Sequence, residues 1–375
     1  VAASHHVFTL GGLRSLSSPV KAKEIWADHG RLETKEDGTY TLKLKLSKRG
    51  ESSDPYLLSK NGVFMVLADQ GSRRPKRRYL GAYGLDGETG HYHFSDRHQS
   101  SSDTRVGLWM GTKLAGTYTK EDVKGDWHIF SQHVILPSSS SFSAGEVGRS
   151  VAGSIAIDEN GAVTGSGTES TSATLTFTGS AATFTDGKVT LTLDYKPAQS
   201  AGDERDFFCG ADDHPTLTKP GVIIGIDDKD DGEAGVIGLI RERTGTADKA
   251  KLAGRPFLIG VNTIFVTANR EGMDGATGTL EFDATDSFTI AAVGAIPPDT
   301  KDPRKLSYGG TYTLADDGEL TLTLKSPTQI WKGAVDQDYK TVILVDHYIE
   351  QTSSSEKSAE LNFFFGLRQA EDPSK

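Results

Sequence analysis

The amino-acid sequence predicts an all-β protein: three tandem antiparallel modules, each a β-barrel or a β-sandwich, the first of them shortened. Three observations predict it. Glycine, serine and threonine are abundant and runs of helix-forming residues are missing, which is the composition of short strands joined by many turns. An eight-residue turn-then-strand unit recurs three times, and each copy is followed by an almost wholly apolar hairpin. At 375 residues the chain also exceeds what one hydrophobic core usually supports, so the recurrence reads as separate cores.

The recurring unit is Asp-Gly-x-apolar-Thr-Leu-x-Leu. It stands at Asp37-Gly38-Thr39-Tyr40-Thr41-Leu42-Lys43-Leu44, at Asp186-Gly187-Lys188-Val189-Thr190-Leu191-Thr192-Leu193 and at Asp317-Gly318-Glu319-Leu320-Thr321-Leu322-Thr323-Leu324. Asp-Gly makes a tight turn with a positive φ at the glycine. Strict alternation then sets Tyr40, Val189 and Leu320, with the leucines after them, on one buried face. The hairpins that follow begin at residues 63–69 (VFMVLAD), 222–227 (VIIGID) and 342–346 (VILVD) and return through 80–85 (LGAYGL), 236–240 (VIGLI) and 363–367 (FFFGL). Strands this apolar are buried on both faces or line a barrel, and the glycine in each return strand allows a bend.

The second and third modules share more. Lys113-Leu114-Ala115-Gly116 recurs as Lys251-Leu252-Ala253-Gly254, and Gly153-Ser154-Ile155-Ala156-Ile157-Asp158 recurs as Gly278-Thr279-Leu280-Glu281-Phe282-Asp283. From Gly116 to Gly187 takes 71 residues and from Gly254 to Gly318 takes 64, but only 26 separate Gly12 from Gly38, so the first module is expected to lack its front strands. The modules fall at 1–112, 113–250 and 251–375, with linkers short enough to predict a semi-rigid, elongated row.

This pattern, a Leu-Ala-Gly start, a Gly-x-apolar-x-apolar-Asp hairpin, Asp-Gly-x-Val-Thr-Leu and an apolar hairpin ending near Asp, resembles tandem β-modules of uncharacterised secreted or surface proteins of bacteria. The resemblance covers 113–375 and the second half of the first module, and it implies fold and location only. The stretch Gly125-Asp126-Trp127 also looks like the Gly-x-Trp of lipocalin-type barrels, although the third module has no such tripeptide.

Composition narrows the function classes. With 36% hydrophobic and 25% charged residues, evenly spread, the chain has material for packed cores and no membrane span. The single cysteine, Cys209, rules out an internal disulfide or a multi-cysteine metal site. A start at Val1 and Ser/Thr-rich stretches such as 165–172 (GSGTESTS) point to an extracellular or cell-surface protein of a bacterium whose leader has been removed. The net charge of −10 hides an asymmetry, since residues 1–112 carry 17 Lys and Arg against 12 Asp and Glu and the remainder 24 against 39.

Candidate chemistry is sparse. The acidic tip around Asp227, Asp228, Asp230 and Asp231 is a candidate cation site over 227–233, but it fails the EF-hand pattern. With Gly232 at the glycine position, Lys229 takes a ligand position and Gly238 falls where the bidentate Glu belongs. His91 and His93 share one face of a strand and could hold a transition metal with help from Asp96 or His98; surface histidines are the plainer reading. No nucleophile elbow, His-Glu-x-x-His run or P-loop is present, so no enzyme, cofactor or catalytic residue is expected. The basic tip Arg73, Arg74, Lys76, Arg77 and Arg78 has one adjacent aromatic, Tyr79, and is no nucleic-acid site; it is the first module's counterpart of the acidic tip.

A first module lacking strands would expose sheet edges, and Val7, Phe8 and Leu10 have the β character to add as a strand to another copy. The leading expectation is therefore a secreted structural protein that assembles with itself, basic module against acidic module, into a filament or surface layer. The alternative is an extracellular binding protein for a small ligand or glycan.

Overall fold

Period-two alternation along the strands closes three sheets. The computed structural model describes residues 3–15, 22–36, 39–44, 52–58, 63–68, 77–83, 91–99, 103–113, 117–135, 148–169, 173–183, 187–197, 203–212, 219–227, 233–267, 270–294, 305–326, 328–346, 348–351 and 357–369. The first barrel runs β1 (Ala3–Ser15), β2 (Ala22–Thr34), β3 (Thr39–Leu44), β4 (Ser52–Leu58), β5 (Val63–Ala68), β6 (Arg77–Tyr83), β7 (His91–Gln99) and β8 (Asp103–Lys113), and β8 returns to pair with β1. A one-turn helix, α1 (Lys120–Val123), precedes the second. It comprises β9 (Gly125–Ile135), β10 (Gly148–Ile157), β11 (Ala162–Glu169), β12 (Thr174–Thr183), β13 (Lys188–Pro197), β14 (Asp203–Ala211), β15 (Val222–Asp227) and β16 (Glu233–Arg241), closed through β16 and β9.

The third follows α2 (Lys249–Leu252) as β17 (Phe257–Thr267), β18 (Arg270–Phe282), β19 (Ser287–Gly294), β20 (Lys305–Leu314), β21 (Glu319–Leu324), β22 (Ile330–Val335), β23 (Thr341–Asp346), β24 (Tyr348–Gln351) and β25 (Lys357–Arg368). Pairing of β17 with β25 closes this sheet as well, and β24 is an extra strand on the edge of β25. All neighbouring strands are antiparallel, so the architecture is up-and-down barrels, not sandwiches.

The shortening expected of the first module is no loss of strands. The first Asp-Gly unit sits at the β2–β3 turn, whereas the second and third open β13 and β21, four strands into their barrels. Gly30-Arg31-Leu32-Glu33-Thr34 with Tyr40-Thr41 is the true counterpart of Gly153-Ser154-Ile155-Ala156-Ile157 with Val163-Thr164, and of the matching stretch from Gly278 to Thr289, at identical spacing. The three turns share one hydrogen bond: Lys35 N to Thr39 O (2.8 Å), Asp158 N to Ala162 O (3.0 Å) and Asp283 N to Ser287 O (2.9 Å). Their left-handed residue is Gly161 (φ 81°) in the second barrel and Asp286 (φ 65°) in the third.

In barrels two and three a ring and a base meet at one end of the seam between first and last strands, and barrel one has a ring and a base at the matching register position. Trp127 faces Arg241, Phe257 faces Arg368, and His5 faces Lys113. The Arg241 guanidinium lies 4.2 Å from the Trp127 ring centroid and donates to the carbonyls of Lys124 and Asp122 around α1. Arg368 does the same for α2, donating to the carbonyls of Leu252 and Ala253 beside Phe257. Burial pulls the Arg241 pKa down to about 10, so the carbonyls that ring it hold a cation largely removed from water.

The barrels do not form a row. Outward-facing residues from all three, among them Phe8, Leu108, Phe130, Ile224, Ile343 and Phe363, make one buried apolar cluster between the barrels. Polar contacts fix the angles. His29 stacks on Phe208 between barrels one and two, with ring centroids 4.8 Å apart. Asn262 Nδ2 donates to Gln132 Oε1 (2.6 Å), and Gln132 Nε2 to the Leu361 carbonyl (2.8 Å), between barrels two and three. Among the described residues no helix is long and apolar enough to cross a membrane.

Candidate functional site

Along β1, Phe8 and Leu10 join the cluster between barrels, so alternation turns Val7, Thr9 and Gly11 into the barrel. The strand register then fixes what lies beside each, and the three barrels can be compared layer by layer from the end where those pairs stand. The first layer is Gly30–Val7–Gly111 in barrel one, Gly153–Ile129–Leu239 in barrel two and Gly278–Ile259–Gly366 in barrel three. In the next, barrel two has Val151–Ser131–Ile237 and barrel three has Ala276–Val261–Phe364. Barrel one has Asp28–Thr9–Trp109. A carboxylate, a hydroxyl and an indole stand where the other barrels are mostly apolar.

The layer above extends the difference. Barrel one has Trp26–Gly11–Gly107, two glycines paired across the closing seam. The Trp26 indole lies against Gly11 so closely that any Cβ there would run into it. A Cβ on Gly107 would meet Thr9 Oγ1 and Trp109 Nε1 at 3.6 Å each, so these two polar atoms converge over the Gly107 backbone. Thr9 is 1% and Asp28 4% exposed. Asp28 Oδ1 accepts from the His29 backbone N–H (2.8 Å), which orients the carboxylate, while Thr9 Oγ1 is buried with no hydrogen-bond partner. A buried hydroxyl left unpaired costs about 1–3 kcal/mol, so such a group marks a place where a partner is expected.

The interiors of barrels two and three are filled. A continuous apolar cluster from Trp127 to Leu239 packs barrel two, and Cys209 lies within it, its thiol pushed up in pKa by burial. A second cluster, from Leu252 to Phe364, packs barrel three. Polar groups in barrel two gather at its far end, where Arg205 Nη1 lies 2.8 Å from Asp227 Oδ2 and His133 Nε2 lies 3.0 Å from Ser131 Oγ, with Tyr195 and Phe207 edge-on to His133.

The residues singled out in the sequence fall elsewhere. Val7, Phe8 and Leu10 lie in β1, which is paired on one edge with β2 and on the other with β8, so neither edge of the strand is open to another copy. Asp227 is fully buried against Arg205 and is no part of an exposed acidic tip. Asp228, Asp230, Asp231, Arg73, Arg74 and Lys76 lie outside the described residues; Arg77 and Arg78 are in β6, with side chains also outside them. His93 is no surface ligand: it is buried between barrels one and three, its Nε2 donating to the Leu258 carbonyl (2.7 Å) and its ring edge-on to Phe365. His91 stands opposite Thr112 in the register, with its side chain outside the described residues. Among the described residues no three His, Cys, Asp or Glu side chains gather as a metal site. Thr9, Asp28, Trp26 and Trp109 went unnoticed because their meeting depends on the β1–β2 and β1–β8 registers; the one local signal is the run of glycines alternating with them.

No family model and no curated protein sequence matches the chain. Among solved structures it is similar to a double mutant of transferrin-binding protein B from Haemophilus parasuis, at 9% identity over 99% of this chain and 77% of that one, with a TM-score of 0.34. An isotype 1 transferrin-binding protein B from serogroup B Neisseria meningitidis gives 10% identity, 98% and 77% coverage and a TM-score of 0.28. A protein of unknown function from Nostoc punctiforme gives 12% identity over 62% of this chain and 95% of that one, with a TM-score of 0.21. Likenesses of this order carry no inference about ligand or partner.

Proposed function

We propose that the chain is an extracellular binding protein in which barrel one takes a single small ligand into its interior and barrels two and three serve as its support. The observation that carries this is the contrast at one layer: Asp28–Thr9–Trp109 in barrel one against Val151–Ser131–Ile237 and Ala276–Val261–Phe364 in the filled barrels. An eight-stranded barrel is just wide enough either to fill with side chains or to hold one small ligand. Inward glycines at 11 and 107 let the Trp26 indole and the Thr9 and Trp109 polar atoms lie against the barrel-one wall, and polar groups of this kind orient a ligand. The closed β1 seam removes the physical basis for assembly by strand addition. Native mass spectrometry of protein purified gently from its own source tests the reading. A monomer carrying a defined extra mass of small-molecule size, released on unfolding, is expected; a bare monomer, or a ladder of oligomers, overturns it.

A further inference from the structure

We infer that the joint between barrels two and three is a proton-operated clasp, tightened in acid and loosened as pH rises, through His128 and the carboxylates around it. The chain passes from β16 to α2 through residues 242–248, and this strap is bonded to both barrels. The Glu242 N–H donates to the Asp126 carbonyl of barrel two (3.0 Å), and the next N–H, that of Arg243, donates to the Asp317 carbonyl of barrel three (2.8 Å). Further along, Ala247 N donates to Asp316 Oδ1 (3.1 Å) and Asp248 N to the Tyr339 hydroxyl (2.6 Å). His128 reaches the same place from the wall of barrel two. Trp127 and Ile129 point into that barrel, so alternation turns the His128 ring outwards. It is 2% exposed, and its Nε2 donates to the same Asp317 carbonyl that Arg243 uses (3.1 Å).

A carbonyl only accepts, so that bond keeps one proton on Nε2 and a second is taken up at Nδ1. The imidazolium then meets an acidic setting. Asp126 lies on its own strand, Glu242 on the strap, Asp317 on the β20–β21 turn with Oδ1 3.9 Å from Nε2, and Glu319 at the start of β21. The cations of the joint already have partners. Lys332 of β22 holds Glu319 Oε1 (2.9 Å), Arg241 holds the carbonyls around α1, and Arg243 holds those of Asp336 and Gln337 (2.9 and 2.6 Å). With His128 neutral, carboxylates from the two barrels therefore repel across the joint; with His128 protonated, a counter-charge stands at the carbonyl where strap, barrel two and barrel three meet. Glu242 acts in the same direction. Burial raises its carboxyl above the usual carboxylate range, His128 opposes the rise, and Asp126, Asp317 and Glu319 add to it. A carboxyl raised by the joint favours the joined state at low pH, and that contribution is lost as pH rises through the raised value.

The test is amide hydrogen exchange of the full chain over residues 242–248, above all at the Arg243 amide, whose bond crosses the joint. Protection over the unstructured rate is compared at about pH 7.5 and about pH 5.5, on either side of the ordinary imidazole value of about 6.5. It is expected to be about fivefold higher at the lower pH, the worth of one partly exposed ion pair. The burial of His93 weakens the fold as a whole in acid, so a gain confined to the strap has the opposite sign to any general effect of pH. His128→Gln keeps a donor for Asp317 and gains no charge; it should match the wild type at about pH 7.5 and lose most of the gain. Glu242→Gln should raise protection at about pH 7.5. Melting curves establish that the variants are folded. If His128→Gln is not, Asp317→Asn decides, because it keeps the accepting carbonyl, removes the facing charge and should also shrink the gain. Wild-type protection that fails to rise at the lower pH, or a rise that the deciding variant keeps in full, overturns the clasp.

Discussion

Asp227 and Arg205 face each other across 2.8 Å inside barrel two, both almost wholly out of water. Taking two charges from water costs several kcal/mol per ion, and each of the pair compensates the other. Asp227→Asn leaves the guanidinium buried without its counter-charge. It is expected to lower the stability of barrel two by about 3–5 kcal/mol, read as a fall in the denaturant midpoint of the β14–β15 region, whereas Arg205→Met with Asp227→Leu recovers most of the loss. Thr9 is the opposite case. Its hydroxyl is buried and unpaired, so the fold carries the cost of its desolvation. One buried polar group has its counter-charge beside it; the other is the group that the proposed ligand would pair.

At the scale of strands and turns, much was legible. Gly187 and Gly318 of the second and third Asp-Gly units have the positive φ they were expected to have, 73° and 96°, while Asp37, Gly38 and Asp186 lie outside the described residues. The apolar hairpins are adjacent strands: β5 with β6, and β15 with β16; in the third module β23 pairs with β25, around the extra strand β24. What misled was that one turn chemistry serves several hairpins of the same barrel. Asp37-Gly38 copies the wording of Asp186-Gly187 but occupies the place of Asn160-Gly161, two strands earlier, and a complete barrel therefore looked truncated. The sounder signal was His6-Val7-Phe8-Thr9 against His128-Ile129-Phe130-Ser131, which starts β1 and β9 in step and puts Phe8 and Phe130 in the same apolar cluster. Barrel closure itself, a pairing of first strand with last over about a hundred residues, leaves no local trace. The candidate site shares that fate, since Asp28, Thr9 and Trp109 meet only through closure.

At the scale of the molecule, the three barrels hold one another through a common apolar cluster, and His93 sits at the edge of it. A carbonyl oxygen can only accept, so the bond to Leu258 puts the proton on Nε2, and Nδ1 faces the backbone at Gly260. Burial lowers the His93 pKa from 6.5 to about 4, partly offset by the Leu258 bond. Unfolded chain takes up a proton near 6.5, before the folded protein does, so stability is full above that pH and declines as pH falls towards about 4. The shift corresponds to about 3 kcal/mol across that window. Denaturation midpoints at pH 7 and pH 4.5 should show this slope in the wild type, and His93→Gln, which keeps a donor for Leu258 and removes the titration, should flatten it; an unchanged slope would place the acid sensitivity elsewhere.

The division of labour among the barrels is open to one direct measurement: amide hydrogen exchange of the protein as isolated from its source, compared with the same protein unfolded, stripped of small molecules and refolded. The account predicts that stripping speeds exchange in β1, β2 and β8, around Thr9, Asp28 and Trp109, and leaves β9 to β16 and β17 to β25 as they were. Identical exchange before and after, or a change confined to the second or third barrel, would contradict it.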